Sequence, residues 1–506
     1  MSEAARAKAL FRLLAALSLL LTAAFYLWLG LHNALVGFAP DDAVYLLMAD
    51  AHSPWHGADD ALAGYLRQHA QFPPLFPLFL ALIGAGSDAL MPAKVGVALS
   101  FALAAGLFGG WLRGMGVPRW TALALALFSA WWPAYWIMAT DVWSEGLFLC
   151  LVWLALGVSL RPAQGLWLAL LAGLLAGAAV GTRSIGIVLL PAVLVGLWPR
   201  GRAAVLAALG GCLLMLVLIR QLSGGGAESY GGELLKFYGT APWPALLGQL
   251  SKIAAGLPAA VGYDLFLWRS LEGWRAGVLA LTVGLIALGA WRARRQRPLL
   301  VYGAGYLLVV ALWPFPGELN RLLLPLLPVA LFLLWRGLAS HPRREWPGLL
   351  LVAVLLVVSW PQLSACLRRV WTPVPIAALD HWRTTRYWLD ATRGEAALKQ
   401  IEALEGYRLA AVAVGEWVPK TDCVYTPQVH LALWYARRRA FLTPPAAGAG
   451  LACRWVYAVG ETTPVGPPFY PLTAWPNLRV VAAFSREGQP LALPTLSAAS
   501  YLMRLP

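Results

Sequence analysis

Apolar runs of about twenty residues recur along most of this chain, and they constrain its fold more than any other feature. A helix of that length crosses the hydrocarbon core of a bilayer, where only helices and closed barrels satisfy their own backbone polar groups. The runs are continuous, without the strict alternation of barrel strands, so helices are expected. Composition agrees: 60% of the 506 residues are hydrophobic and 12% are charged, with 26 Trp, against about 25% charged in ordinary soluble domains. A soluble globule, a disordered chain, collagen, a coiled coil and a disulfide-stapled secreted module are excluded. The sequence predicts a mostly α, polytopic membrane helix bundle.

The first run follows Arg6, Lys8 and Arg12 and reaches about Gly30. A signal peptide has an apolar core of roughly 7–15 residues, so an uncleaved span is expected instead. Further segments lie near 91–112, 120–137, 142–160, 164–182, 185–199, 203–220, 274–291, 298–314, 321–335 and 347–366, which makes about eleven spans. With the amino terminus cytoplasmic, the inner loops hold Arg113, Arg119, Arg161, Arg200, Arg202, Arg292, Arg294, Arg295, Arg297, Arg336, Arg343 and Arg344. That is the positive-inside pattern. It accounts for the formal net charge of +15 as topology, with membrane lipids and not nucleic acid as the partner.

An odd number of spans leaves the carboxyl terminus extracytoplasmic. The expected organisation is a transmembrane domain over 1–366, with outer loops 31–90 and 221–273, followed by a small extracytoplasmic α/β domain over 367–506. In that tail, 388–405 and 427–439 read as helix, and 407–413, 453–459 and 478–485 as β-rich pieces. Cys150, Cys212 and Cys366 sit in or beside spans as small packing residues. Cys423 and Cys453 lie in the outer tail, where a disulfide is permitted but not dictated by sequence. No spacing resembles a zinc site.

Acids are scarce near a bilayer, so each one present asks for a reason. Asp41 and Asp42 follow the first span directly, with Tyr45, Ala49 and Asp50 after them. Adjacent carboxylates favour a nearby cation, a metal or a raised pKa on one of them. The same residues also suit a helix start, Asp41 as N-cap and Asp42 against the dipole, and the two readings are compatible. A second acidic pair, Asp141 and Glu145, falls where the chain turns back from the outer face. On a helix they share one side, or they simply solvate a helix end. Pro133 loosens the preceding span. Between the two acidic sites, Pro73-Pro74 opens an apolar stretch to about Gly84 that is too short to span and reads as a re-entrant or interfacial helix.

Three arginines break the inside bias. Arg183, Arg220 and Arg321 map to outer ends of spans. Each either anchors a lipid headgroup or grips a phosphate with parallel hydrogen bonds.

These residues resemble the GT-C superfamily of polyprenyl-phosphate-sugar glycosyltransferases, with protein O-mannosyltransferases and aminoarabinose transferases as the nearer relatives. The resemblance covers roughly 1–366. It rests on Asp41, Asp42, Tyr45 and Ala49; on Phe72-Pro73-Pro74-Leu75; on Ser144-Glu145; on Gly181-Thr182-Arg183; and on Arg321-Leu322-Leu323-Leu324-Pro325, in that order. The aminoarabinose transferases place Lys before Pro-Pro where this chain has Phe72, so Arg67 or His69 is the substitute to consider.

The resemblance implies an inverting transfer of a sugar from a polyprenyl-phosphate (undecaprenyl-type) donor to a lipid, glycan or protein acceptor on the outer face of the inner membrane. Asp41 would act as general base. Asp42 and Glu145 would orient the acceptor or Asp41, or share a divalent cation with it, and Asp141 and Tyr45 would lie nearby. Arg183 and Arg321 would stabilise the phosphate. No cofactor is required, although a divalent cation is permitted. The alternative class is a multi-span transporter or lipid flippase, which would place ionisable residues near the midplane on broken, repeated helices.

Overall fold

Each apolar segment anticipated from sequence contains a helix in the computed structural model. The structure describes residues 2–31, 36, 40–55, 57, 60–67, 72–161, 165–222, 237–239, 242–259, 275–313, 319–339, 344–370, 395–426, 428–441, 453–459, 479–485, 488–491 and 500–504. In chain order the helices are α1 (Glu3–Leu31), α2 (Pro40–His52), α3 (Asp60–Arg67), α4 (Leu75–Leu82), α5 (Leu90–Gly114), α6 (Arg119–Ala130), α7 (Pro133–Thr140), α8 (Glu145–Ser159) and α9 (Leu166–Thr182). They continue as α10 (Leu189–Leu197), α11 (Arg202–Leu222), α12 (Pro242–Ala259), α13 (Arg275–Arg292), α14 (Arg297–Ala311), α15 (Leu319–Leu323), α16 (Leu327–Leu338), α17 (Trp346–Val370) and α18 (Glu395–Trp417).

Among the described residues, four helices are long and apolar enough to cross a membrane by length and composition, or five if α6 and α7 form one span bent by 54°. Six further apolar helices run 10–17 residues. The figure of about eleven spans is therefore not established by length. The bend falls at Trp131-Trp132-Pro133, where a proline starts a new helix because it cannot donate to the old one. Helix α4 begins directly after Pro73-Pro74 and has 8 residues, too few to span.

The chain divides into two compact units: Met1–Gly30, His69–Phe76 and Lys94–Arg368 in the first, and Leu31–Gln68, Pro77–Ala93 and Arg369–Pro506 in the second. In the first unit, backbones approach closely where side chains are absent. A Cβ at Gly173 on α9 would overlap the carbonyl oxygen of Ala208 on α11, and one at Gly289 on α13 would overlap that of Leu333 on α16. Between apolar helices in lipid, small residues of this kind permit the dispersion contacts that hold the pair together.

The second unit contains a six-stranded mixed sheet in the order β2-β1-β3-β6-β4-β5. Its strands are β1 (Cys423–Tyr425), β2 (Arg439–Phe441), β3 (Trp455–Val459), β4 (Arg479–Phe484), β5 (Pro490–Leu491) and β6 (Ser500–Arg504). β1 runs parallel to β2 and β3, whereas β6 is antiparallel to β3 and β4. Strands were expected at 453–459 and 478–485, and β3 and β4 lie there. The expected β piece at 407–413 is instead inside α18, where Ala410, Ala411 and Val414 give one buried helical face. The expected helix at 427–439 is a short turn at Val429–Leu431, a π-turn at Ala432–Ala436 and then the start of β2.

Cys423 and Cys453 form a disulfide, which ties β1 to the chain entering β3. Cys150, Cys212 and Cys366 are buried thiols outside any disulfide. The fully buried Tyr457 donates to the Tyr407 carbonyl at 2.8 Å, and burial pushes its phenol well above the ordinary tyrosine range. Arg438 is buried and spends its guanidinium on backbone oxygens, with Nε donating to Val418 at 2.7 Å and one terminal nitrogen to Ala436 at 3.1 Å and Arg437 at 3.0 Å.

Candidate functional site

In the first unit three predicted residues converge. Glu145 is the first residue of α8 and is fully buried. Arg183 sits where α9 ends, its backbone extended at φ −148° and ψ 128°. Its amide still closes the last helical turn onto Ala179 at 2.9 Å, and its carbonyl accepts from Gly186 at 2.8 Å as the chain reverses into a 3-10 turn at Ser184–Val188. A Cβ at Gly186 would lie 2.5 Å from the Ala179 carbonyl carbon, so glycine is what permits this tight reversal. The break leaves Arg183 at a helix end, from which its guanidinium reaches Glu145.

Arg321 is carried by the one-turn helix α15, which runs into a 3-10 turn at Leu324–Leu326 before α16. Two prolines cause the interruption. Pro325 and Pro328 both lack the amide proton that would continue the ladder, and Pro328 is the residue whose N–H would have bonded the Leu324 carbonyl. That carbonyl accepts instead from the Leu327 amide, within the 3-10 turn, and from the Tyr135 hydroxyl at 2.9 Å. A helix broken in this way is secured by a side chain from α7, and Arg321 is held with it.

Both guanidiniums meet one carboxylate oxygen. Glu145 Oε1 accepts from Arg321 Nε at 2.7 Å and from a terminal nitrogen of Arg183. The same Arg183 nitrogen lies 3.4 Å from Ser144 Oγ. The Arg321 guanidinium carbon also stands 3.8 Å from the ring centre of Trp143, a cation–π contact. The two arginine side chains are only 11% and 13% exposed. Two guanidiniums thus share one carboxylate oxygen in a largely dehydrated place. Such a cluster suits an incoming anion with several oxygens, because guanidinium forks match phosphate geometry and lose little hydration there.

The other predicted residues fall as follows. Asp141 is buried but lies in the turn between α7 and α8, not on the helix that Glu145 begins, so helical spacing does not relate the two. Asp41, Asp42 and Tyr45 are on α2 in the second unit. The helix begins at Pro40, two residues earlier than an Asp41 N-cap requires; Asp41 and Asp42 occupy its first turn, where the dipole favours acids. Asp42 is buried, with Oδ1 accepting from the Ala43 amide at 2.6 Å, and Tyr45 is buried beside it in sequence. The Arg67 side chain and the whole of His69 lie outside the described residues.

No group of three or more His, Cys, Asp or Glu among the described residues could hold a metal ion. Two guanidiniums already share Glu145 Oε1, which disfavours a further cation at that oxygen.

Sequence reasoning missed several residues of this neighbourhood. Lys94 is buried on α5 and donates to the Thr140 carbonyl at the end of α7, where a cation complements the helix dipole. A lysine within the otherwise apolar 91–112 run was a legible signal. Trp143, Tyr135, Tyr302 and Tyr306 carried none, because aromatics in apolar helices read as packing.

No protein-family model matches this chain, and no curated protein matches it. Among solved structures it is similar to the Archaeoglobus fulgidus oligosaccharyltransferase in complex with Zn and sulfate, at 12% identity over 87% of this chain and 68% of that one, with a TM-score of 0.46. It is also similar to ArnT from Cupriavidus metallidurans bound to undecaprenyl phosphate, at 15% identity over 98% of this chain and 97% of that one, with a TM-score of 0.46. A third is the oligosaccharyltransferase AglB from Archaeoglobus fulgidus in complex with an inhibitory peptide and a dolichol-phosphate, at 12% identity over 88% and 69%, with a TM-score of 0.38.

Proposed function

We propose that this protein is an integral membrane glycosyltransferase that moves a sugar from a polyprenyl-phosphate donor to an acceptor at the outer membrane face, with inversion at the anomeric carbon. The observation that carries the reading is the pairing of Arg183 and Arg321 on the single buried Glu145 oxygen. A carboxylate alone could be a proton site and an arginine alone a lipid anchor. A preformed, largely dehydrated pair of guanidiniums is suited to an anion that gains charge during reaction.

In this reading the acceptor oxygen attacks the anomeric carbon and loses its proton to Asp41. The bond from that carbon to the phosphate oxygen breaks, and the electron pair leaves with the phosphate. The leaving phosphate becomes more negative as it departs, and Arg183 and Arg321 stabilise it most at that point. Glu145 is a positioning residue that fixes both guanidiniums. Asp42 orients Asp41 or the acceptor.

The test is transfer of labelled sugar from a polyprenyl-phosphate donor by purified protein, with Asp41→Asn and Arg321→Ala alongside. Asp41→Asn is expected to lower kcat at least a hundredfold, in line with about 10²–10⁴ for a general base, while donor binding persists. Arg321→Ala is expected to weaken donor binding. Full transfer by Asp41→Asn would remove the base, and unaltered donor kinetics in Arg321→Ala would remove the phosphate site.

A further inference from the structure

The guanidinium cluster is bordered by buried hydroxyls that the reading above does not use. Tyr302 and Tyr306 lie one turn apart on α14, which puts them on the same side of the helix with ring centres 5.7 Å apart. Both residues are fully buried, and neither hydroxyl has a hydrogen-bond partner among the described residues. The helix that carries them is pressed against the turn following Arg183: a Cβ at Gly305 would lie 3.3 Å from Cβ of Val188. On the other side, the Tyr306 ring sits 6.5 Å from that of Phe148, one turn beyond Glu145 on α8. The Tyr306 phenol interacts electrostatically with Arg183, Glu145 and Arg321, and that of Tyr302 with Arg183.

A buried hydroxyl without a partner is costly, since its lost hydration goes uncompensated, and such groups are few in native proteins. Two of them on one helix face, beside a pair of buried guanidiniums, are unlike ordinary packing: phenylalanine would fill the same space without the penalty. Glu145 Oε2 is buried in the same neighbourhood, also without a hydrogen-bond partner. A phosphate headgroup supplies several acceptor oxygens at once, more than two arginines sharing a carboxylate can saturate. Phenol hydroxyls are neutral donors, so they add hydrogen bonds to an anion without adding charge to an apolar surrounding.

We propose that the phenol hydroxyls of Tyr306 and Tyr302 are donors to the phosphate held by Arg183 and Arg321, with Tyr306 the principal contact, so that the headgroup site is lined by two guanidiniums and two phenols. This deepens the proposed function and rests on it. The phenols also confer selectivity for a phosphate headgroup over the bare polyprenol, because their hydroxyls are satisfied only when an acceptor oxygen is present.

The experiment measures binding of undecaprenyl phosphate, undecaprenol and inorganic phosphate to detergent-purified wild type, Tyr306→Phe, Tyr302→Phe and Arg321→Ala, with thermal midpoints for each. Tyr306→Phe is expected to raise the Kd for undecaprenyl phosphate about tenfold or more, as the loss of a hydrogen bond to a charged group does. Its midpoint without ligand should be unchanged or higher, and its binding of undecaprenol unchanged. Tyr302→Phe should show the same pattern more weakly. Displacement of the lipid by inorganic phosphate in wild type, lost in Tyr306→Phe, locates the contact at the headgroup.

Two results overturn the inference alone: unchanged undecaprenyl phosphate binding in both phenylalanine variants while Arg321→Ala loses it, or an equal loss of undecaprenol binding, which makes the phenol a packing residue. If Arg321→Ala also binds undecaprenyl phosphate normally, the phosphate site fails with it. Should Tyr306→Phe not fold, Tyr302→Phe carries the test, and a lowered midpoint with intact binding there refutes the donor role.

Discussion

Replacing Glu145 by Gln separates the two roles a buried carboxylate can play beside two arginines. Glutamine keeps the shape and a neutral carbonyl acceptor but removes the charge, so Arg183 and Arg321 lose the counter-charge they share while only 11% and 13% exposed. Uncompensating a buried ion pair costs about 3–5 kcal/mol. The retained acceptor puts this case near the lower end, about 3 kcal/mol. A kilocalorie moves the midpoint by about 2–4 °C in a domain of roughly 200 residues and by less in a larger unit. The expectation is a fall of about 5 °C for detergent-purified Glu145→Gln without ligand.

The same change should make the variant more dependent on an anion. A ligand at a hundred times its Kd stabilises by about 2.7 kcal/mol, and in Glu145→Gln the phosphate meets two guanidiniums with no competing carboxylate. Undecaprenyl phosphate should therefore raise the midpoint of the variant by more than that of wild type, restoring most of the loss, while undecaprenol restores none. The assay is thermal unfolding followed by tryptophan fluorescence across a ligand series. A variant as stable as wild type would show that the pairing carries no energy. A destabilised variant that the phosphate lipid rescues less than wild type would show that Glu145 contacts the ligand favourably, and the account of it as a stand-in counter-charge would be wrong.

Two further expectations concern the fold. Gly173→Leu places a side chain where α9 meets the Ala208 carbonyl of α11, and it should lower the midpoint by more than the same substitution at Gly110, where nothing lies within 4 Å of a Cβ; equal effects would mean that the helix pair yields freely. Opening the Cys423–Cys453 disulfide, which closes a loop with a sequence separation of 30, should cost the second unit about 3.5 kcal/mol by loop entropy. That is read as faster proteolysis of Cys423→Ser/Cys453→Ser protein within 395–504; cleavage at the wild-type rate would place its stability elsewhere.

The helices were legible because their signal is local. A run such as 203–220 declares itself without reference to any partner, and α11 (Arg202–Leu222) follows it closely. Pro133 marked the break between α6 and α7 for the same reason. The sheet was less legible, since its strands are 2–6 residues long and β1 pairs in parallel with two partners distant in sequence. A three-residue strand such as Cys423–Tyr425 has too little pattern to read, and 407–413 misled because a buried helical face and a short β run share an apolar look.

The site divides along the same line. Each of Glu145, Arg183 and Arg321 could be picked out as a charge where lipid makes charge expensive. Their convergence could not, because it depends on two helix breaks far apart in the chain, one set by glycine and one by proline: the reversal at Gly186 and the interruption at Pro325 and Pro328. Once the breaks exist, geometry assigns roles that composition leaves open. Glu145 places one oxygen between two guanidiniums and so anchors both. The phenols of Tyr302 and Tyr306 acquire meaning only from that charge: in an apolar bundle they would be unsatisfied hydroxyls that selection has every physical reason to exchange for phenylalanine, and beside an anion site they are donors already in place.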